Sequence, residues 1–143
     1  MAVIEKSVLI ARTAQQMFDL VDRVEDYPKF LPWCGGTELI ERSDKVTAAR
    51  LHINYRGIKA HFATENPKDP PHWMNIQLRE GPFRQLEGSW RFTSLGDVGC
   101  KVEFRLSYEF SSSVLEKVLG PVFSHIASTF IESFVKRAHE VYD

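Results

Sequence analysis

Cys34 and Cys100 are the only thiols in 143 residues. They are too few for a disulfide framework, so the core must hold the fold, and a reducing compartment with two buried thiols is expected. Neither charge sign is in excess. Eighteen Lys+Arg against nineteen Asp+Glu give a formal net charge of -1, which excludes a global field of the kind that gathers nucleic acid or an anionic membrane by counterion release. Such a partner would need a local basic patch, and no DNA partner is expected. Long apolar runs are missing as well. Glu5 and Lys6 interrupt the N-terminal apolar residues, and the run Val8–Ala11 is too short for a secretory h-region. The longest uncharged stretch, Val118–Ile131, contains Gly120, Pro121, Ser124 and His125 and falls short of the roughly 18 apolar residues that span a bilayer. It reads as a core helix, and the expected location is the cytoplasm.

Motifs of catalysis are equally scarce. His52, His61, His72, His125 and His139 lack an H-x-x-x-H or C-x-x-C arrangement, whereas zinc needs three or four converging N or S donors. No metal is expected. Gly81-Pro82-Phe83 and Gly96-Asp97-Val98-Gly99 lie between strands and match neither a P-loop nor a dinucleotide fingerprint. No nucleophile stands beside a base in any recognisable motif, so no catalytic residue is nominated and the chain reads as a non-enzyme. Internal repeats, low-complexity segments and Gly/Ser linkers are absent, which leaves one domain over residues 1-143.

Aromatic residues, by contrast, are abundant: ten Phe, four Tyr and three Trp. A strand-like opening, Val3–Ile10, gives way to a short helix announced by the capping-box pair Thr13 and Gln16, with Met17, Leu20, Val21 and Val24 at helical spacing. Pro28 and Pro32 limit the next segment to a one- or two-turn helix or an ordered loop. From Thr37 to Phe110 a meander of antiparallel strands is predicted, with turns at Arg56-Gly57, Asn66–Pro71, Glu80–Pro82 and Gly96–Gly99. Cys100, Val102, Phe104, Leu106, Tyr108 and Phe110 alternate with polar residues without a miss. Leu51, Ile53 and Tyr55, then Ile58, Ala60 and Phe62, Met74, Ile76 and Leu78, and Leu86, Trp90 and Phe92 alternate less completely. His72 falls in phase with the apolar residues, and His52 and His61 fall on polar faces. Ser111–Ser113 offer N-caps for a long amphipathic helix carrying Leu115, Leu119, Val122, Phe123, Ile126, Phe130, Phe134 and Ala138, with a kink or break expected at Gly120-Pro121.

Two readings of the aromatic stripe stand side by side. In one, the rings simply fill the core between sheet and helix. In the other, a curved sheet wrapped round a helix leaves an elongated apolar pocket, with Tyr55 and Tyr108 as polar handles. The strand phases alone do not choose between them.

Two segments carry a resemblance: Tyr27-Pro28-Lys29-Phe30-Leu31-Pro32-Trp33-Cys34 and Gly81-Pro82-Phe83-Arg84-Gln85-Leu86-Glu87-Gly88-Ser89-Trp90-Arg91-Phe92. Together with the element order, they resemble the coenzyme Q-binding protein and ribosome-association toxin RatA family, within the START-like, polyketide cyclase/dehydrase-like group. The likeness covers essentially the whole chain. It implies an α+β helix-grip fold: a curved antiparallel sheet around a long C-terminal helix, with two short helices after the first strand. It also implies a cavity able to take ubiquinone or a related isoprenoid lipid, without catalysis, in support of respiration. The bacterial branch is described as a toxin that binds the large ribosomal subunit and blocks subunit joining. A cyclase or dehydratase acting in the same pocket is the least favoured alternative, with His72 and Tyr55 as its only agents.

The cavity wall expected on this reading is Trp33, Phe62, Trp90, Phe92, Phe104, Phe123, Ile126 and Phe130, with Tyr55 and Tyr108 to orient the head group. Tyr27–Cys34 would be a flap over the mouth in which Trp33 stacks on a quinone ring, and Gly81-Pro82-Phe83 a loop closing one end. The expected partners are a hydrophobic small molecule, the large ribosomal subunit and a transient membrane surface, the last peripheral to the inner membrane. Arg50, Arg56, Lys59, Arg79, Arg84 and Arg91 are the candidate basic patch, interleaved with Glu80 and Glu87.

Overall fold

Period-two alternation with short turns builds a meander in which each strand pairs with the next, and only the first strand breaks that order. The computed structural model describes residues 1–142. Its elements are β1 (Ala2–Ile10), α1 (Ala14–Asp22), a 3-10 segment (Val24–Lys29), β2 (Cys34–Arg42), β3 (Val46–Tyr55), β4 (Ile58–Asp69), β5 (Trp73–Glu80), β6 (Phe83–Ser94), a short 3-10 turn (Gly96–Val98), β7 (Cys100–Phe110) and α2 (Ser113–Tyr142). The seven strands form one antiparallel sheet ordered β1-β7-β6-β5-β4-β3-β2. Its inner face and the apolar side of α2 share one core, which is the helix-grip arrangement.

Local chemistry explains the elements. Thr13 caps α1 reciprocally with Gln16: the Gln16 amide donates to Thr13 Oγ1 at 3.0 Å, and the Thr13 amide donates to Gln16 Oε1 at 2.9 Å. Met17, Phe18, Leu20 and Val21 are thereby turned into the core. Pro28 sits inside the 3-10 segment, and the buried Tyr27 hydroxyl donates to the Val21 carbonyl, tying that segment back to α1. Of the three serines before α2, Ser112 is the one that caps, its Oγ accepting the Leu115 amide at 3.2 Å.

Three expectations need correction. Of the kink or break expected at Gly120-Pro121, the break is absent: α2 runs through from Ser113 to Tyr142. Leu119, Val122, Phe123 and Ile126 anchor it in the core on both sides of the proline, and that burial outweighs the roughly 3 kcal/mol cost of an interior proline. The turn expected over Asn66–Pro71 is shorter, because β4 continues to Asp69. Pro67 is tolerated there because the β4–β5 ladder lapses: pairs are made at Glu65–Gln77 and again at Lys68–Met74, with none between. His72 lies in the turn before β5, outside the strand phase, and is exposed.

Gly88 departs from the apolar row of β6 for a steric reason. A Cβ there would come within 2.4 Å of the Arg105 carbonyl oxygen on β7, so only glycine permits this close approach of the two strands. By length and composition α2 could cross a membrane, but here Leu119, Val122, Phe123, Ile126, Ala127, Ile131, Phe134 and Ala138 are buried against the sheet side of the protein.

Candidate functional site

Between the inner face of the sheet and α2 lies a cavity of about 70 Å³. Its α2 wall is Phe123, Ile126, Ala127 and Phe130, and its sheet wall includes Leu51, Phe62, Trp90, Phe104 and Leu106. Trp33 enters from the segment before β2, its ring tilted on Phe130 with centroids 6.1 Å apart. Trp90 lies 5.7 Å from Phe130 and 4.6 Å from Phe104. One wall of the cavity is therefore a continuous run of mutually packed rings.

Seven of the ten residues expected to line a pocket do so: Trp33, Phe62, Trp90, Phe104, Phe123, Ile126 and Phe130. Phe92 and Tyr108 are buried, as their strand phase requires, but are used up in packing. Phe92 lies against Phe18 and Trp90, and Tyr108 against Phe83, Phe110 and Phe123. Tyr55, expected as a polar handle, does not line the cavity. It sits beside the Arg56-Gly57 turn at the end of β3, half-buried, with its ring stacked on His125 of α2 at 5.3 Å and the Arg56 guanidinium 5.2 Å away. Gly81, whose positive φ favours glycine, lies against Phe62. A Cβ on it would come within 2.7 Å of Phe62 Cβ, so this turn closes on a lining residue.

The polar lining lies elsewhere. The inward row of β4 runs Phe62, Thr64, Asn66, Lys68, passing from apolar to charged along one strand. Thr64 and Asn66 face the cavity. Asn66 Nδ2 donates to Met74 Sδ at 3.7 Å, while its Oδ1 is buried and meets no donor among the described residues. Beyond it, Lys68 Nζ is held by both carboxylate oxygens of Asp22, at 3.0 and 3.1 Å, and Thr47 donates to the same carboxylate at 2.6 Å. These polar inward positions carried no hydrophobic signal. What marked them was a strand phase that continued while its residues turned polar.

Among the described residues, no His, Asp, Glu, Lys, Arg or Cys lines the cavity, and the one titratable side chain that does is Tyr27, whose phenol is pushed far up by burial and by the neighbouring Asp22 carboxylate. His72 and Tyr55, the residues considered for acid–base work, are both outside it. Both cysteines are buried, and burial raises both thiols. No group of three or more potential metal ligands occurs among the described residues. Three of the six residues of the basic patch are paired with carboxylates. Arg50 pairs with Glu38 and Glu80, Arg79 with Glu65 at 3.5 Å, and Arg84 with Glu109 at 3.8 Å.

A family described as polyketide cyclase / dehydrase and lipid transport matches residues 10–135. The chain belongs to this family. Within it, the protein is 39% identical over 139 residues to the ribosome association toxin RatA of Vibrio cholerae, covering 97% of this chain and 96% of that one. The Escherichia coli K12 protein of the same name is 35% identical, with 97% and 88% covered. Coenzyme Q-binding protein COQ10 homolog B of Xenopus laevis, a mitochondrial protein, is 28% identical over 142 residues, covering 96% of this chain and 58% of that one. Among solved structures, the Zhui aromatase/cyclase of Streptomyces superposes with a TM-score of 0.83 at 16% identity, covering 96% of this chain and 93% of that one. An 18 kDa protein of Caulobacter crescentus superposes at 0.75 with 29% identity and 99% of each chain covered. Fold and family thus agree with the resemblance carried by the Tyr27–Cys34 and Gly81–Phe92 segments.

Proposed function

We propose that this protein binds a hydrophobic small molecule in the cavity between sheet and α2 and does no chemistry on it, with ubiquinone or a related isoprenoid lipid as the ligand class. The observation that carries this reading is the lining itself: aromatic and aliphatic side chains, two small polar groups, and no acid or base that titrates near neutrality. Affinity would come from burying an apolar body at about 25 cal/mol per Å². At about 70 Å³ the cavity has room for one or two water-sized groups. Ligand sites usually run to roughly 300–1,000 Å³, so a prenylated ligand has to be admitted by displacement of side chains. Phe130 is the ring to move, because it is half-buried while its partners Trp33, Trp90 and Phe104 are buried.

The test uses Trp33 and Trp90 as reporters, since both line the cavity. Titration of delipidated protein with a short-chain ubiquinone should quench their fluorescence saturably, and Ala127→Phe, which fills the cavity from α2, should abolish the saturable component. Quenching that rises linearly and equally in both proteins would sink the reading.

Association with the large ribosomal subunit is the second reading, and the 39% identity to a ribosome association toxin over nearly the whole chain favours it. Of the expected patch, Arg50, Arg79 and Arg84 are paired with carboxylates, which weakens its field. A ribosomal contact would rest on shape and on the remaining Arg56, Lys59 and Arg91. Cosedimentation with purified large subunits, repeated with Ala127→Phe, separates the two: binding that survives the filled cavity belongs to the surface.

A further inference from the structure

Two independent features meet at Asn66. First, its Oδ1 is a buried acceptor without a protein donor among the described residues, on a side chain that lines an otherwise apolar cavity. A buried acceptor left unpaired loses the hydrogen bonds that water gave it and gets none in return. Its Nδ2 donates to Met74 Sδ, and a turned-over amide would set the oxygen against a thioether that has no hydrogen to give. The Tyr27 hydroxyl, on another residue of the lining, is already donated to the Val21 carbonyl.

Second, Asn66 stands where the β4–β5 ladder lapses. The register on either side of the β4–β5 lapse, Glu65 with Gln77 and Lys68 with Met74, sets Asn66 opposite Ile76 and Pro67 opposite Asn75, and neither pair is bridged. Pro67 has no amide hydrogen to give the ladder there. Asn66 and Ile76 are also half-buried, which of the other lining residues is true only of Phe130. Asn66 thus lines the cavity beside the β4–β5 lapse, at one of its few half-buried positions, with its amide oxygen buried.

We propose that Asn66 Oδ1 is the head-group acceptor of the cavity, and that the ligand presents a hydroxyl donor to it, as an alcohol or a phenol or hydroquinone, at one end of an apolar body. This rests on the cavity being a ligand site, and it adds a sign: the site selects a donor over an acceptor. A hydroquinone or prenyl alcohol satisfies Asn66, whereas a quinone carbonyl or an ether oxygen faces it lone pair to lone pair. Thr64, two residues back on the same face, flanks the head group and brings a methyl as well as a hydroxyl to the wall.

The experiment compares farnesol with farnesyl methyl ether, which share the apolar body and differ in the donor. Competition against quenching by a bound short-chain ubiquinone, or direct calorimetry, gives both affinities. The wild-type protein should prefer the alcohol by about 3- to 10-fold, the factor of one net hydrogen bond. Asn66→Leu, close in size and without the acceptor, should erase the preference while keeping affinity for the ether, and Thr64→Val should leave the preference in place. Equal binding of alcohol and ether by the wild-type protein overturns the proposal and leaves cavity binding intact. The same holds if Asn66→Leu retains the preference. Binding of neither compound, with no saturable quenching by the quinone, removes the cavity reading and this one with it. The wild-type comparison decides even if Asn66→Leu fails to fold.

Discussion

Asp22 and Lys68 join α1 to the sheet through a buried ion pair, and removing one partner should be far more damaging than removing both. Lys68 Nζ lies 3.0 and 3.1 Å from the two carboxylate oxygens, and the side chains are 4% and 15% exposed for Lys68 and Asp22 respectively. Arg42 Nε is 3.6 Å from the same carboxylate. Asp22→Leu would leave an ammonium out of water without its counter-charge and beside a guanidinium, and also deprive Thr47 of its acceptor. Breaking a buried pair from one side costs about 3–5 kcal/mol, whereas replacing both ions by apolar groups is often neutral or stabilising. At about 2–4 °C per kcal/mol for a domain near this size, Asp22→Leu should lower Tm by about 10 °C. The Asp22→Leu/Lys68→Met double variant should recover most of that loss. Urea denaturation of the wild type, both singles and the double closes the cycle as a coupling energy. A single-variant loss under about 1 kcal/mol, or a double variant as unstable as the sum of the singles, would refute the argument that desolvated charge governs this junction.

Ala127→Leu should raise stability by up to about 1.7 kcal/mol, taking about 24 cal/mol per Å³ over a cavity of about 70 Å³; a fall in the urea midpoint would mean that the space is not there to fill. Gly88→Ala should cost about 1–3 kcal/mol, since its Cβ would meet the Arg105 carbonyl oxygen at 2.4 Å, and an unchanged thermal midpoint would contradict the close approach of β6 to β7. Glu25 is held at a pKa of about 2, chiefly by the Arg42 hydrogen bonds, against an ordinary 4.5. The folded pKa is depressed, so its contribution is fully present above about pH 4.5 and is lost as pH falls towards 2. Arg42→Ala should therefore flatten the acid limb of the stability–pH curve in that window and leave its shape above pH 5 unaltered.

The fold was legible where one periodicity ran long enough. β7 alternates over eleven residues, and the Thr13–Gln16 capping box marks the start of α1. Seven lining residues could be read because they are large, apolar and in phase. Tyr55 misled because phase says which face a side chain takes and not how far along the strand the cavity reaches. Two residues past Ile53 the chain is already at the turn, and the ring meets His125 instead. Phe92 and Tyr108 show that an inward position can be spent on neighbours rather than on a void. Asn66 and Lys68 were hidden by composition: Asn66-Pro67-Lys68-Asp69-Pro70-Pro71 has the residues of a turn, yet the strand persists through four of them because Pro67 falls where the ladder lapses. A hydrophobic pattern cannot reveal a polar inner face whose charge is cancelled by Asp22, forty-six residues away in the chain.

Organic extraction of gently purified protein, followed by mass spectrometry and compared with Ala127→Phe as the filled-cavity control, tests the central claim most directly. The account predicts a hydrophobic compound of the isoprenoid class, near one per protein, in the wild type and absent from the filled variant. A wild-type protein that yields nothing, and that takes up neither added quinone nor farnesol, would contradict it.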